Sequence, residues 1–351
     1  MENPSSKRNM FKNLLLMFIV FLLSSCAAVH LPEPDKIEGV ALESPSRPSE
    51  ADVMKDIRLA GAEYVCLMPY GYMSKDSTRV RYDNAQWQWW GERSEGISTL
   101  IQDARSRGLS IMLKPHIWIG WGDYTGDLNF LSDRDQTNWN ASYTDYLLHY
   151  ARLAEQYDVE IFCIGTELCM QLNDDPEYWS GLIEEVKSVY QGKLTYASNW
   201  DCYQDFPFWG KLDYIGIDAY FPLLESTEAD LHKVSNGWKY WKDEMNVYST
   251  DQNKPILFTE YGYRSVEFGL REPWEMSRSG EVSNDIQELG YQGLFKSIWN
   301  EPWFAGGFLW KWHCLEHLEH KDKATRFTPQ GKPGLDIIIK NYKGQFLKKE
   351  E

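Results

Sequence analysis

The chain has 351 residues, of which 43% are hydrophobic and 25% charged, as is ordinary for a globular protein with a sizeable core. The formal net charge of −16 argues against nucleic acid or an anionic membrane surface as an electrostatic partner, and it leaves neutral or cationic ligands open. The 16 Trp and 21 Tyr residues suit a large aromatic core, stacking on a ligand, or both.

The first 35 residues are predicted to lie outside the fold. Three basic residues precede the apolar run 14–23, which is too short to span a bilayer comfortably. The stretch Leu23-Ser24-Ser25-Cys26 then resembles a bacterial lipoprotein signal, with cleavage before Cys26 and lipid on its thiol. We therefore predict a signal peptide over residues 1–25, a tether over 26–35, and an exported lipoprotein at the periplasmic face or the cell surface. An ordinary secretory signal or a short membrane anchor is the alternative.

Apolar runs that resemble strands alternate with amphipathic runs that resemble helices from residue 36 to about 345. The predicted strands, in chain order, are 37–42, 63–70, 109–114, 159–166, 193–198, 212–217, a run that ends at 260, and 305–309. The predicted helices between and after them are 49–60, 96–107, 138–157, 176–190, 228–246, 282–299 and 334–342.

Eight strand–helix units with mostly continuous apolar strands predict a parallel sheet covered by helices, in the α/β class. Eight units suit a closed (β/α)8 TIM barrel better than an open doubly wound sheet. No glycine-rich nucleotide fingerprint follows the first strand, which weakens the open-sheet alternative further. We therefore predict one catalytic barrel over residues 36–345.

Functional residues of such barrels lie at the carboxyl ends of the strands. Two apolar runs here end on a carboxylate, at Glu167 and at Glu260, which lie 93 positions apart in the chain. Other polar and aromatic residues follow the strands and are candidate substrate-binding residues: Tyr70, His116, Trp118, Asn199, Trp200, Asp218, Tyr220 and Trp310. Each could instead have a structural role, such as packing, helix capping or pairing of a Glu with Lys114.

Two carboxyl groups in one aromatic pocket suit the hydrolysis of a glycosidic bond. One protonated carboxyl releases the leaving group while a second, ionised carboxylate attacks the anomeric carbon. Two neighbouring carboxyls push their pKa values apart, because ionising both costs Coulomb energy. Trp faces would stack on sugar rings, and Asn, His, Asp and Tyr would bind hydroxyl groups.

Several motifs resemble glycoside hydrolase family 113 of the clan A barrels. They are Gly165-Thr166-Glu167-Leu168, Phe258-Thr259-Glu260-Tyr261-Gly262-Tyr263-Arg264-Ser265, Lys114-Pro115-His116, and Pro329-Gln330-Gly331-Lys332-Pro333. The resemblance implies a retaining enzyme in which Glu167 is the acid/base and Glu260 the nucleophile. It implies β-1,4-mannan as the substrate and no metal or organic cofactor.

The resemblance also suggests roles for three further positions. Many clan members have Asn before the acid/base, where this chain has Thr166, so that Asn199 or His116 would have to contact the sugar 2-hydroxyl. Tyr220 is the candidate for contact with the nucleophile, and Trp310 resembles the Trp that stacks under the sugar at the cleavage site. The expected partners are a β-linked glycan and the membrane reached through Cys26; we expect no nucleic acid and a monomer.

Three competing readings remain open on sequence. His313-Cys314-Leu315-Glu316-His317 matches the H-x-x-E-H pattern of some zinc peptidases, but it lies just past the eighth strand and lacks an obvious acidic third ligand. A non-catalytic glycan-binding barrel would keep the Trp residues, although both carboxylates are present here. A β-glucan, a xylan or a short β-mannoside could replace mannan as the substrate.

The cysteines are compatible with an exported protein. Cys66 and Cys163 fall in apolar strands and are expected to be buried thiols. A disulfide is possible among Cys169, Cys202 and Cys314, with the pairing left open.

Overall fold

The computed structural model describes residues 36–48, 52–83, 87–314 and 321–349. The predicted signal peptide, the tether and Cys26 therefore lie outside the described residues. No helix in the described part of the chain is long and apolar enough to cross a bilayer.

Eight parallel strands close into a barrel and confirm the predicted (β/α)8 fold. The chain forms ten strands: β1 (Ile37–Leu42), β2 (Tyr64–Leu67), β3 (Tyr70–Met73), β4 (Ser110–Leu113), β5 (His116–Ile119), β6 (Ile161–Thr166), β7 (Lys193–Asn199), β8 (Ile215–Asp218), β9 (Ile256–Tyr261) and β10 (Phe304–Trp312). The order around the barrel is β1-β10-β9-β8-β7-β6-β4-β2, with β1 and β2 paired to close it. The eight barrel strands occupy the positions that the apolar runs predicted.

Helices cover the outside of the barrel. They are α1 (Val53–Leu59), α2 (Ser94–Ser106), α3 (Asp133–Gln156), α4 (Cys169–Asp174), α5 (Pro176–Val189), α6 (Leu231–Gln252), α7 (Asn284–Ser297) and α8 (Gly334–Lys349). Side-chain caps define several starts: Ser132 accepts from the Asp135 N–H at α3, and Asp175 accepts from the Tyr178 N–H at α5. Helix α3 begins five residues earlier than predicted, because the Ser132 side chain accepts a backbone N–H of the first turn and stabilises a helix start among polar residues.

A small core fills the interior of the barrel beneath the strand ends. It contains Cys66, Met112, Ile161, Leu257 and Phe308, all buried. Gly39 is required opposite this layer, since a Cβ there would lie 2.4 Å from the Phe308 ring. Tyr70 and Trp310 pack on the same cluster and are partly exposed. The interior core therefore lies directly beneath the surface at the carboxyl end of the barrel.

A second, two-stranded parallel sheet was not predicted. Strands β3 and β5 directly follow β2 and β4 and pair with each other, with Tyr70 opposite His116 and Tyr72 opposite Trp118. The Tyr146 hydroxyl fixes this sheet by donating to the carbonyls of Pro69 and His116, at 3.0 and 2.8 Å. The sheet builds one wall at the carboxyl end of the barrel.

Candidate active site

Neighbouring strand ends bring the predicted site residues together. Asn199, Asp218 and Glu260 lie side by side in register at the ends of β7, β8 and β9. Glu167 follows β6, and its N–H donates to the Ala197 carbonyl of β7 at 2.8 Å. Glu167 and Glu260 both line a cavity of about 1090 Å³ at the carboxyl end of the barrel. The predicted pair of carboxylates therefore faces one cavity.

Glu167 has a left-handed backbone conformation. Its φ of 51° is uncommon for a residue with a side chain and costs on the order of 1 kcal/mol or more. The Tyr196 hydroxyl accepts the next N–H, from Leu168, at 2.7 Å. The chain thus turns sharply at the carboxylate, and packed neighbours hold that turn.

Both oxygens of the Glu260 carboxylate are held by donors. Lys114 Nζ donates to Oε1 and the Tyr220 hydroxyl donates to Oε2, each at 2.6 Å. The expected contact between Tyr220 and this carboxylate is present. The two donors fix the orientation of the group and stabilise negative charge on its oxygens.

Lys114 lies between two carboxylates, away from solvent. Besides Glu260 it donates to Asp218 Oδ1 and Oδ2 at 2.9 and 3.2 Å, and its side chain has no exposed surface. Burial opposes the ammonium charge, but Asp218 and Glu260 outweigh it and raise the pKa of Lys114. The lysine therefore supplies a permanent positive charge at the floor of the site.

Asp218 has a structural position. Its carboxylate is 1% exposed, accepts from Lys114 and from the Thr259 hydroxyl at 2.8 Å, and does not line the cavity. Burial, followed by the Glu260 charge, raises the pKa of Asp218 to about 7 although Lys114 and Thr259 oppose the shift. The prediction of a substrate contact at Asp218 is corrected: it anchors Lys114.

Glu167 has surroundings that differ from those of Glu260. No donor among the described residues contacts its carboxyl group by a hydrogen bond or ion pair. Burial raises the pKa of Glu167 well above its usual range, and the Asp218 and Glu260 charges add to this while Lys114 opposes it. The protonated form is therefore favoured at Glu167, whereas Glu260 is surrounded by donors.

His116 lies behind the cavity wall. Its Nε2 atom is 3.9 Å from Glu260 Oε1, is buried, and has no hydrogen-bond partner. Burial lowers the pKa of His116 well below its usual value, as do the Lys114 and Lys311 charges, so the ring is neutral. Its ring stacks near Trp310, at 6.2 Å and 14°. His116 packs beside Glu260 and Trp310, and a sugar contact at His116 stays a prediction.

The remaining predicted binding residues divide between two cavities. Asn199, Trp200, Tyr220 and Trp310 line the main cavity. Tyr70 and Trp118 line an adjacent cavity of about 350 Å³, which Trp310 also borders.

The wall near Glu167 is polar and aromatic. Asn199 Nδ2 donates to the Tyr124 hydroxyl at 2.9 Å, and Trp200 stacks on Trp274 at 5.1 Å and 22°. Tyr124, Asp201 and Trp274 all line the main cavity and were not predicted as site residues. The Thr166 hydroxyl is buried without a partner, so it lies outside this wall.

Sequence reasoning also missed a charged group at the end of β1. Glu43 accepts from Lys311 Nζ and pairs with His313 Nδ1, both at 2.5 Å, and all three residues line the main cavity. Although burial opposes ionisation, His313 and Lys311 hold the pKa of Glu43 well below its usual range. A signal existed, since Leu42-Glu43 is another apolar strand followed by Glu.

Comparison with known proteins gives the family. The family model for glycoside hydrolase family 113 matches residues 44–332. The chain belongs to glycoside hydrolase family 113. No match was found among curated proteins.

Solved structures of family 113 enzymes share the fold. A β-mannanase from Alicyclobacillus acidocaldarius aligns with a TM-score of 0.74 and 24% identity over 88% of this chain and 97% of its own. A β-1,4-mannanase of the family aligns at 0.75 and 23%, over 88% and 99%. A Faecalibacterium prausnitzii β-glucuronidase aligns at 0.59 and 16%, over 89% of this chain and 49% of its own. At identities of 24% or less, the similarity to these structures establishes the shared barrel fold alone.

Membership of family 113 makes the protein a glycoside hydrolase, as predicted. The described residues contain no group of three or more His, Cys, Asp or Glu side chains able to hold a metal ion. Within the H-x-x-E-H stretch, His313 pairs with Glu43, and positions 315–320 lie outside the described residues.

The family 113 site is also cross-linked. Cys169, at the start of α4, forms a disulfide with Cys202, three residues after Asn199. Cys66 and Cys163 are buried thiols, as expected. The disulfide joins the start of α4, two residues after Glu167, to the loop that follows Asn199 and carries Trp200.

Proposed function

We propose that this family 113 enzyme is a retaining β-glycosidase that cleaves β-1,4-linked mannan, with Glu167 as the acid/base and Glu260 as the nucleophile. The observation that carries the proposal is the contrast between two carboxyl groups in one cavity. Lys114 and Tyr220 donate to Glu260, while burial and negative neighbours raise the pKa of Glu167. One residue type thereby supplies both a nucleophile and an acid.

In the first step a Glu260 oxygen attacks the anomeric carbon while Glu167 transfers its proton to the departing glycosidic oxygen. The carbon–oxygen bond to the leaving group breaks, and a covalent glycosyl ester forms on Glu260. Glu260 loses its negative charge when the ester bond forms. The positive charge of Lys114 is still balanced by Asp218, to which Lys114 also donates. Lys114 would thus remain in place through the cycle.

In the second step Glu167, now ionised, removes a proton from water as the water attacks the anomeric carbon. The ester bond breaks, Glu260 recovers its charge, and Lys114 and Tyr220 again donate to it. Two displacements on opposite faces return the sugar to its original configuration. No metal or organic cofactor enters either step.

β-1,4-Mannan is proposed because solved family 113 relatives are named as β-mannanases. The axial 2-hydroxyl distinguishes mannose from glucose, and Asn199 is our candidate for binding it, since it lines the cavity at the strand end next to Glu167. The Thr166 hydroxyl and the His116 Nε2 atom are buried and therefore less accessible. A β-glucan or xylan is the alternative substrate class.

The test is product analysis on mannan, glucomannan, xylan and β-glucan, with wild-type enzyme and the Glu167→Ala and Glu260→Ala variants. We expect sugars released from the two mannans, and each variant should lose most turnover, by about 10⁴-fold or more on polysaccharide. Circular dichroism of the variants would show that the fold is intact. Near wild-type activity in either variant would refute the assigned roles, and cleavage of xylan or β-glucan alone would refute the substrate.

We further propose that the enzyme is exported and held at a membrane by lipid on Cys26. The support is the sequence alone, through the basic residues, the apolar run and Leu23-Ser24-Ser25-Cys26. Cys26→Ser expressed in a bacterial host should shift the enzyme from the membrane fraction to the soluble fraction. Retention of the variant in membranes would contradict lipid attachment at this position.

A further inference from the structure

The segment 323–326, which follows β10, places two basic side chains at the main cavity. Lys323 and Arg326 line this cavity together with Phe327, whose ring lies 5.6 Å from that of Tyr220. Tyr220 holds the proposed nucleophile, so the segment borders the place of reaction. Neither basic side chain has a role in the two displacement steps.

The backbone of this segment is fixed by side chains from two of the sequence motifs. The carbonyl oxygens of residues 324–326 accept hydrogen bonds, in chain order, from Ser265 at 2.6 Å, Arg264 at 3.2 Å and Lys332 at 2.7 Å. The hydrolytic mechanism gives these three motif residues no other task. A backbone held at three consecutive carbonyls loses little freedom when its side chains bind a ligand, so the two basic groups are preorganised.

The positive charge of this segment is not balanced by the acidic side chains of the cavity. Among the described residues, four acidic side chains line the main cavity. Glu43 is paired at both oxygens, Glu260 is paired with a buried lysine, and Glu167 favours its protonated form. Asp201 is exposed and follows β7, three strands from β10 around the barrel. In the described part of the chain, Lys323 makes no ion pair.

The two basic side chains also act on the cations beneath them. Burial, followed by the charge of Lys323, lowers the pKa of Lys332 to about 7. Burial, followed by the charge of Arg326, lowers the pKa of Arg264, although two nearby glutamates oppose the shift. Like charges held close together repel each other, and an anion bound beside them would relieve part of this repulsion. The cluster is therefore complementary to a negatively charged group.

The anion is better supplied by the glycan than by the solution. Guanidinium and ammonium groups bind carboxylate and sulfate oxygens through charge-assisted hydrogen bonds. The formal net charge of −16 repels free anions, although salt screens that repulsion over about 8–10 Å. A charged substituent on a glycan is instead brought to the cavity by the binding of the rest of the sugar chain.

We propose that Lys323 and Arg326 bind an anionic group carried by the substrate glycan, either a carboxylate or a sulfate ester, and that the enzyme prefers acidic mannan chains to neutral ones. This inference rests on the proposed function and narrows its substrate class. Arg264, Ser265 and Lys332 serve as the support that holds the two binding residues in place.

The test compares one mannan in three forms: neutral, partly oxidised at C6 to carboxylates, and lightly sulfated. At low salt we expect kcat/KM of the wild-type enzyme to be about three- to tenfold higher for at least one acidic form than for the neutral form. The form with the larger gain identifies the group that is bound. The gain should shrink when sodium chloride is raised to about 0.5 M, because salt screens the attraction.

Variants assign the gain to this segment. Lys323→Ala and Arg326→Ala should each lower the ratio of acidic to neutral kcat/KM by about threefold or more, and Lys323→Glu should lower it further because it replaces attraction by repulsion. Matched controls are Lys239→Ala on α6 and Arg152→Ala on α3, which remove exposed basic side chains that line neither cavity. The controls should keep the wild-type ratio, and circular dichroism would show that each variant is folded.

The outcomes separate this inference from the proposed function. Equal kcat/KM for the neutral and both acidic mannans would leave the β-mannan activity standing and overturn the anion site. A gain that both Lys323→Ala and Arg326→Ala retain would also overturn it, since the charged group would then bind elsewhere. If no form of mannan is cleaved, the proposed substrate fails and this inference fails with it.

Discussion

Glu167 and Glu260 have the same side chain in one cavity, and their neighbours give them different chemistry. Glu260 has a donor on each oxygen, from Lys114 and Tyr220. Burial, followed by the charges of Asp218 and Glu260, raises the pKa of Glu167. The division of labour therefore comes from donors that follow other strands, Lys114 after β4 and Tyr220 after β8, which a single Glu in a sequence motif does not reveal.

The raised pKa of Glu167 gives a pH prediction. A general acid acts only while protonated, so kcat/KM should be full below the Glu167 pKa and fall as pH rises through it. Because the pKa is raised, this alkaline fall should begin well above the usual titration range of a carboxyl. We expect Glu167→Ala, assayed on an aryl glycoside with an activated leaving group, to lack this alkaline limb.

Asp218 is an alternative origin of the alkaline fall in kcat/KM. Asp218, with a pKa of about 7, could titrate over part of the same range and change the charge beside Lys114. If Glu167→Ala keeps the wild-type alkaline limb on the activated substrate, the limb belongs to another group. The assignment of Glu167 as the acid would then fail.

At the scale of elements, the site depends on where strands end and on what joins the loops that follow them. The disulfide between Cys169 and Cys202 closes a loop with a sequence separation of 33 residues. It connects the segment after Glu167 with the segment that carries Asn199 and Trp200. It should therefore stabilise the fold and hold the wall on the leaving-group side.

Removing this cross-link should lower the free energy of unfolding by about 3–4 kcal/mol, as expected for a loop of this length. We expect Cys169→Ser/Cys202→Ser to show this loss in denaturant titrations, and kcat/KM to fall as the loops loosen. Reductant should weaken the wild-type protein and leave the double variant unchanged, which is the matched control. Equal unfolding free energies with and without reductant in the wild type would contradict a structural disulfide.

Elements also account for what sequence reasoning missed. Continuous apolar runs predicted all eight barrel strands, because buried parallel strands are apolar on both faces. The sheet of β3 and β5 was not predicted, because Tyr70–Met73 and His116–Ile119 are short and each begins only two residues after a barrel strand ends. Helix α4, with six residues, is too short for a clear helical period.

At the scale of the whole molecule, the sequence predicted which strand ends carry chemistry but not which side chains reach the cavity. Tyr220 and Trp310 lie at the carboxyl ends of barrel strands and line the cavity, whereas Asp218 and His116 also lie at such ends but are not among the residues that line it. The local sequence determines where a strand ends, whereas the access of a side chain to the cavity depends on loops from distant parts of the chain. Glu43 and Lys311 are 268 positions apart, and their pairing appears only when the barrel closes.

The aromatic residues divide in the same way. Trp139, Trp179, Trp209, Trp238 and Trp299 are fully buried, so they belong to the core that surrounds the barrel. Trp89, Trp118 and Trp274 are 40–45% exposed and line cavities. The composition allowed both a large aromatic core and aromatic surfaces for a ligand, and both are present. Only the closed fold shows which Trp residues belong to each group.

The covalent intermediate on Glu260 is the central claim, and one measurement tests it directly. A 2-deoxy-2-fluoro-β-mannosyl fluoride slows both steps through its 2-fluoro group, while its good leaving group keeps the first step going, so the intermediate accumulates. Peptide mass spectrometry of the inactivated enzyme should find one 2-deoxy-2-fluoromannosyl adduct, on Glu260, and none in Glu260→Ala. An adduct on a different residue, or turnover with inverted anomeric configuration, would contradict the account.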